Sequence, residues 1–168
     1  MAYGARCRDR CTFIRDRGRL DECPGQEILA GLNKVTVITL IDQANRTLYY
    51  HTELAVVHHT IRGKLSSVEF RDLLTKGAEC LEKNRAVKWL SDDTKNGPIS
   101  PEDSTWGEVV WGTRVLRAGF RFWAIVVPAS AVGSLQMRRF ANTYRDRHVT
   151  VEIFADPTQA LSWLENMH

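Results

Sequence analysis

Lys88-Trp-Leu-Ser-Asp-Asp93 sets a hydroxyl and two adjacent carboxylates at the end of a short apolar run. Acids at the mouth of a strand are the raw material of metal-dependent phosphoryl transfer or of hydrolysis, so Ser91, Asp92 and Asp93 are the first chemical candidates. Consecutive strand residues point to opposite faces, however, so two neighbouring acids diverge and do not readily share an ion. Their plainer role is to hydrogen-bond a loop or to cap the next helix. His51, His58 and His59 form the other group capable of metal or proton chemistry. The same alternation separates His58 from His59, and the expectation is one histidine exposed and one packed. Cys7, Cys11 and Cys23 crowd the start, but zinc needs a fourth ligand and the nearest histidine is His51. A glycine-rich phosphate loop, a Gly-x-Ser-x-Gly elbow and a His-Glu-x-x-His helix are all missing. The residues therefore lean away from catalysis, and neither a cofactor nor a bound metal is expected.

The elements that must position these residues follow from pattern. Residues 1 to 33 mix six arginines with five acids and lack apolar periodicity, which reads as a flexible extension with little to bury. The domain then runs over 34 to 168. Val35 to Ile41, Thr47 to Thr52 and Ala55 to Ile61 are rich in β-branched and aromatic residues, and they read as a β-hairpin with room for one edge strand before it. Ser66-Ser-Val-Glu69 is a capping box, and Phe70, Leu73, Leu74, Gly77 and Leu81 make one helical stripe behind it. Ala86 to Leu90 reads as a buried parallel strand that delivers Ser91, Asp92 and Asp93 to its carboxyl end.

Ser100-Pro-Glu-Asp103 supplies an N-cap, a first-turn proline and two acids suited to a helix dipole. Its buried stripe is predicted as Trp106, Val109, Val110, Thr113 and Leu116. That spacing leaves Trp111 off the stripe, as an exposed aromatic contact. Phe120 to Val127 is the next central strand, Ser130 caps a helix facing the core through Met137, Phe140, Ala141 and Tyr144, and Val149 to Phe154 leads into a last helix capped by Asp156. The order ββαβαβαβα demands an α/β fold with a mixed, mainly parallel sheet, an N-terminal hairpin and helices packed on the sheet.

The whole order of motifs over about residues 47 to 166 resembles the bacterial STAS-like family, whose fold is similar to anti-sigma-factor antagonists and, more remotely, to CRAL-TRIO lipid-transfer domains. Lys88-Trp-Leu-Ser-Asp-Asp93, Ser100-Pro-Glu-Asp103 with Trp106, Ala124-Ile-Val-Val-Pro128 and the run from Val151 to Leu164 carry it. The resemblance implies a non-catalytic regulatory or ligand-binding module acting through a protein partner or a small ligand. The alternative is a small hydrolase or metal-dependent phosphoryl-transfer enzyme using the Asp92/Asp93 loop. Antagonists of this kind carry a phosphorylatable serine in an Asp-Ser-Ser-Gly-like element; this chain has Ser100-Pro-Glu-Asp103 there, and the switch does not carry over with it.

Composition sets the remaining bounds. With 168 residues and 43% of them hydrophobic, the chain has enough apolar material for one core. Its 23 basic against 20 acidic residues give a net charge of +3, too slight to imply nucleic-acid binding. No apolar run is long enough for a transmembrane helix or a signal segment, so a cytoplasmic protein is expected, with a homo-oligomer compatible. The site, where one exists, belongs at the carboxyl ends of the parallel strands. That edge collects Ser91, Asp92 and Asp93, with Ser100 and Ser130 from the helix caps and Trp111 as the aromatic contact.

Overall fold

The computed structural model describes residues 36–168, so the readings that fall on residues 1 to 33, the extension and the cysteine cluster, lie outside the described residues. Three β-rich runs become three antiparallel strands, β1 (Val37–Gln43), β2 (Arg46–His51) and β3 (Val56–Ile61). The anticipated edge strand is thus present, and it carries a bulge between Thr39 and Ile41. From β3 onward the strands are parallel: β4 (Lys88–Asp92), β5 (Phe122–Val126) and β6 (Thr150–Phe154). The six strands lie side by side in sequence order, which confirms the α/β class and the mixed sheet with its antiparallel N-terminal part.

Sequential order has a consequence for the layers. When every parallel crossover is right-handed and steps in the same direction, the connecting helices must all fall on one face of the sheet. Accordingly α1 (Ser67–Asn84), the broken helix of α2 (Pro101–Trp106) and α3 (Gly112–Arg117), and α4 (Ala131–Arg145) bury one core with Leu48, Val57, Trp89, Trp123 and Ile125. Among the described helices only α5 (Pro157–Glu165), which follows the last strand, packs on the opposite face, over β4 to β6, through Ala160 and Leu164 with Leu90, Ala124 and Val126.

Local chemistry fixes the ends of these helices. Ser66 and Glu69 form the full capping box, with the Glu69 backbone N–H donating to the Ser66 hydroxyl and the Ser66 N–H to the Glu69 carboxylate. Glu69 also accepts from Arg46 Nη1 at 2.9 Å, so a buried arginine of β2 anchors the start of α1. Gly77 faces Trp89: a Cβ there would overlap the indole, which is why the α1 stripe needs glycine at that position. Gly119, with φ +98°, turns the chain out of α3.

One stretch departs from the sequence reading. Between α2 and α3 the helix takes a π-helical turn, Gly107–Trp111, which inserts an extra residue and rotates everything after it relative to a 3.6-residue period. Val109 and Val110, placed in the buried stripe by sequence, are 61% and 53% exposed, while Trp111 is only 5% exposed. The expectation of an exposed Trp111 is corrected on that ground.

Candidate functional site

The strand register brings the polar groups together. His59 on β3 pairs with Ser91 on β4, which in turn pairs with Ile125 on β5, so the two polar side chains are neighbours on the three-helix face at the carboxyl ends of the strands. Trp89 Nε1–H donates to His59 Nδ1 at 3.1 Å. An indole nitrogen can only donate, so Nδ1 must be the acceptor and the neutral imidazole carries its proton on Nε2. That Nε2 is buried and has no hydrogen-bond partner, in a residue only 4% exposed. Buried polar atoms are rarely left so. Asp93 Oδ1 lies 3.8 Å away, too far for a direct bond, and accepts instead from Asn96 Nδ2 at 2.9 Å. Ser91 Oγ accepts from Trp123 Nε1 at 2.9 Å, which leaves its own hydrogen free to donate.

These groups line a cavity walled by aromatic and apolar side chains, among them Trp111, Trp123, Phe140, Met137 and Tyr144. It has room for the centre of a water-sized sphere over about 40 Å³, more than the roughly 10–15 Å³ that one water requires. Trp111 is held in the wall by its Nε1–H, which donates to the Leu74 carbonyl at 3.1 Å, and by edge contact with Trp89 and Trp123. Tyr144 donates its hydroxyl to the Gly107 carbonyl at 3.2 Å inside the π-helical turn. Burial pushes the Tyr144 hydroxyl well above the ordinary tyrosine range, so it stays a donor there.

Asp103 stands at the mouth. Its carboxylate accepts from Ser67 Oγ at 2.7 Å, Arg71 Nε at 2.8 Å and Ser100 Oγ at 2.9 Å. Burial alone would raise its pKa, but the three hydrogen bonds from Ser67, Arg71 and Ser100 outweigh that and hold it below the ordinary aspartate value. Ser100 meanwhile caps α2 as expected, accepting from the Asp103 backbone N–H at 3.1 Å. Beyond Asp103 a vestibule of about 280 Å³, shared at Phe70, Ile99 and Asp103 with the inner cavity, opens between the starts of α1 and α2.

The six residues singled out by sequence fall in four places. Ser91, Asp93 and Trp111 converge on the inner cavity, and Ser100 borders the vestibule. Asp92 points to the other face, in register with Thr60 and Val126, and accepts from Thr94 Oγ1 at 2.6 Å. Ser130 caps α4 by accepting from the Gly133 N–H at 3.1 Å and lines neither space. Trp89 and Asp103 were not among the sequence candidates, and His59 was weighed only within a histidine group and not placed at this edge. Only the alternation that assigns His59 and Trp89 to inward positions pointed toward them, because their pairing spans 30 residues of chain. Among the described residues no set of three or more His, Cys, Asp or Glu side chains is arranged to hold a metal ion, and no helix is long and apolar enough to cross a membrane.

Fold and site together define an open mixed α/β sheet with an aromatic-walled, largely apolar pocket holding a few polar groups at the carboxyl ends of its parallel strands. Comparison with protein-family models, with curated proteins and with solved structures returns no match.

Proposed function

We propose that this domain is a non-catalytic, STAS-like module of the cytoplasm, regulatory or ligand-binding, that works by taking a small ligand into the cavity beneath Asp103. The observation that carries the reading is the unpartnered, buried Nε2 of His59, fixed in direction by Trp89 and opening on that cavity. A pocket with few convergent polar groups on apolar walls, at the carboxyl edge of a parallel sheet, is the usual setting of a ligand site. The hydrolase alternative is weakened by the tautomer. With Nδ1 accepting from Trp89 and Nε2 protonated, the neutral ring has no lone pair free to take a proton from Ser91. The phosphoryl-transfer alternative is weakened by Asp92 and Asp93 lying on opposite faces.

The test is to follow the ring nitrogens of ¹⁵N-histidine-labelled protein while adding a set of simple alcohols, amines, carboxylates and nucleotides, with melting temperature measured beside it. A ligand of this site moves the His59 resonances and raises the melting temperature. Shifts confined to His51 and His58, or turnover of an ester or phosphate ester that Ser91→Ala abolishes, would overturn the reading.

A further inference from the structure

Resting on the ligand-binding reading, we infer that the ligand carries a hydroxyl group, which enters between His59 Nε2 and Asp93 Oδ1, on a slender apolar body that extends past Phe70 and Ile99 into the vestibule. The two atoms are 3.8 Å apart, so one oxygen can sit about 2.8 Å from both and bond to each. His59 Nε2 offers a proton and the Asp93 carboxylate offers only lone pairs, so the bridging atom must accept on one side and donate on the other. A hydroxyl does both. An ether or ketone oxygen cannot donate to Asp93, an ammonium cannot accept from His59, and a carboxylate would lie against Asp93 with like charge.

Size argues the rest. The inner space of about 40 Å³ admits a polar head and little more, and the vestibule of about 280 Å³ admits the body. The neck is lined by the apolar side chains of Phe70 and Ile99, beside Asp103, whose carboxylate accepts from Ser67, Arg71 and Ser100. Phe70 and Ile99 offer a ligand no hydrogen bond, so the part that passes between them is apolar.

The experiment compares four probes of nearly equal length on the full chain: 1-hexanol, methyl pentyl ether, hexanoate and hexylammonium. Binding is read from the His59 ring nitrogens, assigned by their loss in His59→Gln, or by their coupling to the Trp89 indole proton if that variant does not fold. The expected result is that 1-hexanol binds at least about tenfold more tightly than the other three, because a site built around a hydroxyl leaves its polar groups unpaired with an analogue that lacks one. In Asp93→Ala the advantage of the alcohol over the ether falls to about twofold or less. Ether, carboxylate or ammonium binding as tightly as the alcohol overturns the hydroxyl assignment and leaves the ligand-binding reading standing. If none of the four moves the His59 resonances, a bound water alone fills the gap, and both readings fall.

Discussion

His58 and His59 are consecutive in sequence and occupy two differently built environments. His59 looks into a core closed by four helical segments, α1 to α4, and its Nδ1 is engaged by a buried indole. His58 looks to the opposite face, where its Nδ1 lies 3.1 Å from His51 Nε2 and its ring stacks on the His51 ring. On the first face a histidine is oriented by a tryptophan toward a pocket. On the second, two histidines hold each other, so a proton added to one sets its charge against the other. The difference teaches that the helices decide a residue's chemistry here more than its own strand does, since strand alternation only chooses the face.

The largest expected effect tests the thicker face. Trp89 is fully buried against Trp111 and Phe120 and gives its N–H to His59. Trp89→Ala is expected to cost about 3–5 kcal/mol in urea denaturation, from the cavity it leaves and the acceptor it strands. The thinner face is expected to lose less, from the removal of a smaller side chain. Leu164, on the inner side of α5, is fully buried in the cluster of Leu90 and Ala124, and α5 can settle into the gap, so Leu164→Ala should cost about 2–3 kcal/mol. A Leu164→Ala loss equal to that of the larger Trp89→Ala would mean that the α5 face is packed at least as well and would remove the contrast.

A third prediction sharpens the contrast through pH. Burial, with help from His51 and His59, pushes the His58 pKa from 6.5 down to about 3, against a weaker opposing pull from Asp92. Burial lowers His51 as well. Below pH 6.5 the unfolded chain takes a proton at His58 that the folded chain refuses until about pH 3, so stability is whole above that window and falls as pH drops through it. The slope for one such group is about 1.4 kcal/mol per pH unit, or roughly 2 kcal/mol between pH 7 and pH 5. His58→Gln should flatten the urea midpoint across that interval relative to the unaltered protein. A variant with the same slope would place the loss on other groups.

Much of this frame was legible in advance for a local reason. The caps at Ser66, Ser100, Ser130 and Asp156 are each realised, because a capping side chain and the amide it serves are at most three residues apart. The β-branched runs likewise declared the strands, and their alternation sent His58 and His59 to opposite faces. What was not legible depends on distance. His59 is oriented by Trp89, 30 residues on, and Asp103 collects Ser67 and Arg71 from another helix, 36 and 32 residues away. No local spacing encodes such meetings. Trp111 was misplaced for yet another reason, since a 3.6-residue period was applied through five residues that follow a wider turn.

The smallest effect predicted tests that turn. Were Gly107–Trp111 ordinary α-helix, Val110 would lie in the buried stripe with Trp106 and Val109, and replacing it by serine would remove apolar surface from the core and place a hydroxyl there, a loss of about 2 kcal/mol or more. With the π-helical turn, Val110 is 53% exposed and the serine hydroxyl is solvated. Valine and serine also differ little in helix propensity. Val110→Ser is therefore expected to change stability by less than about 0.5 kcal/mol, the range of ordinary surface substitutions. Its neighbour Trp111, 5% exposed and bonded to Leu74, provides the internal standard: two consecutive residues, like His58 and His59, whose fates are set by what packs on them. Urea denaturation at pH 7 decides it, and a loss at Val110 near 2 kcal/mol would return the segment to a regular helix and take Trp111 out of the cavity wall.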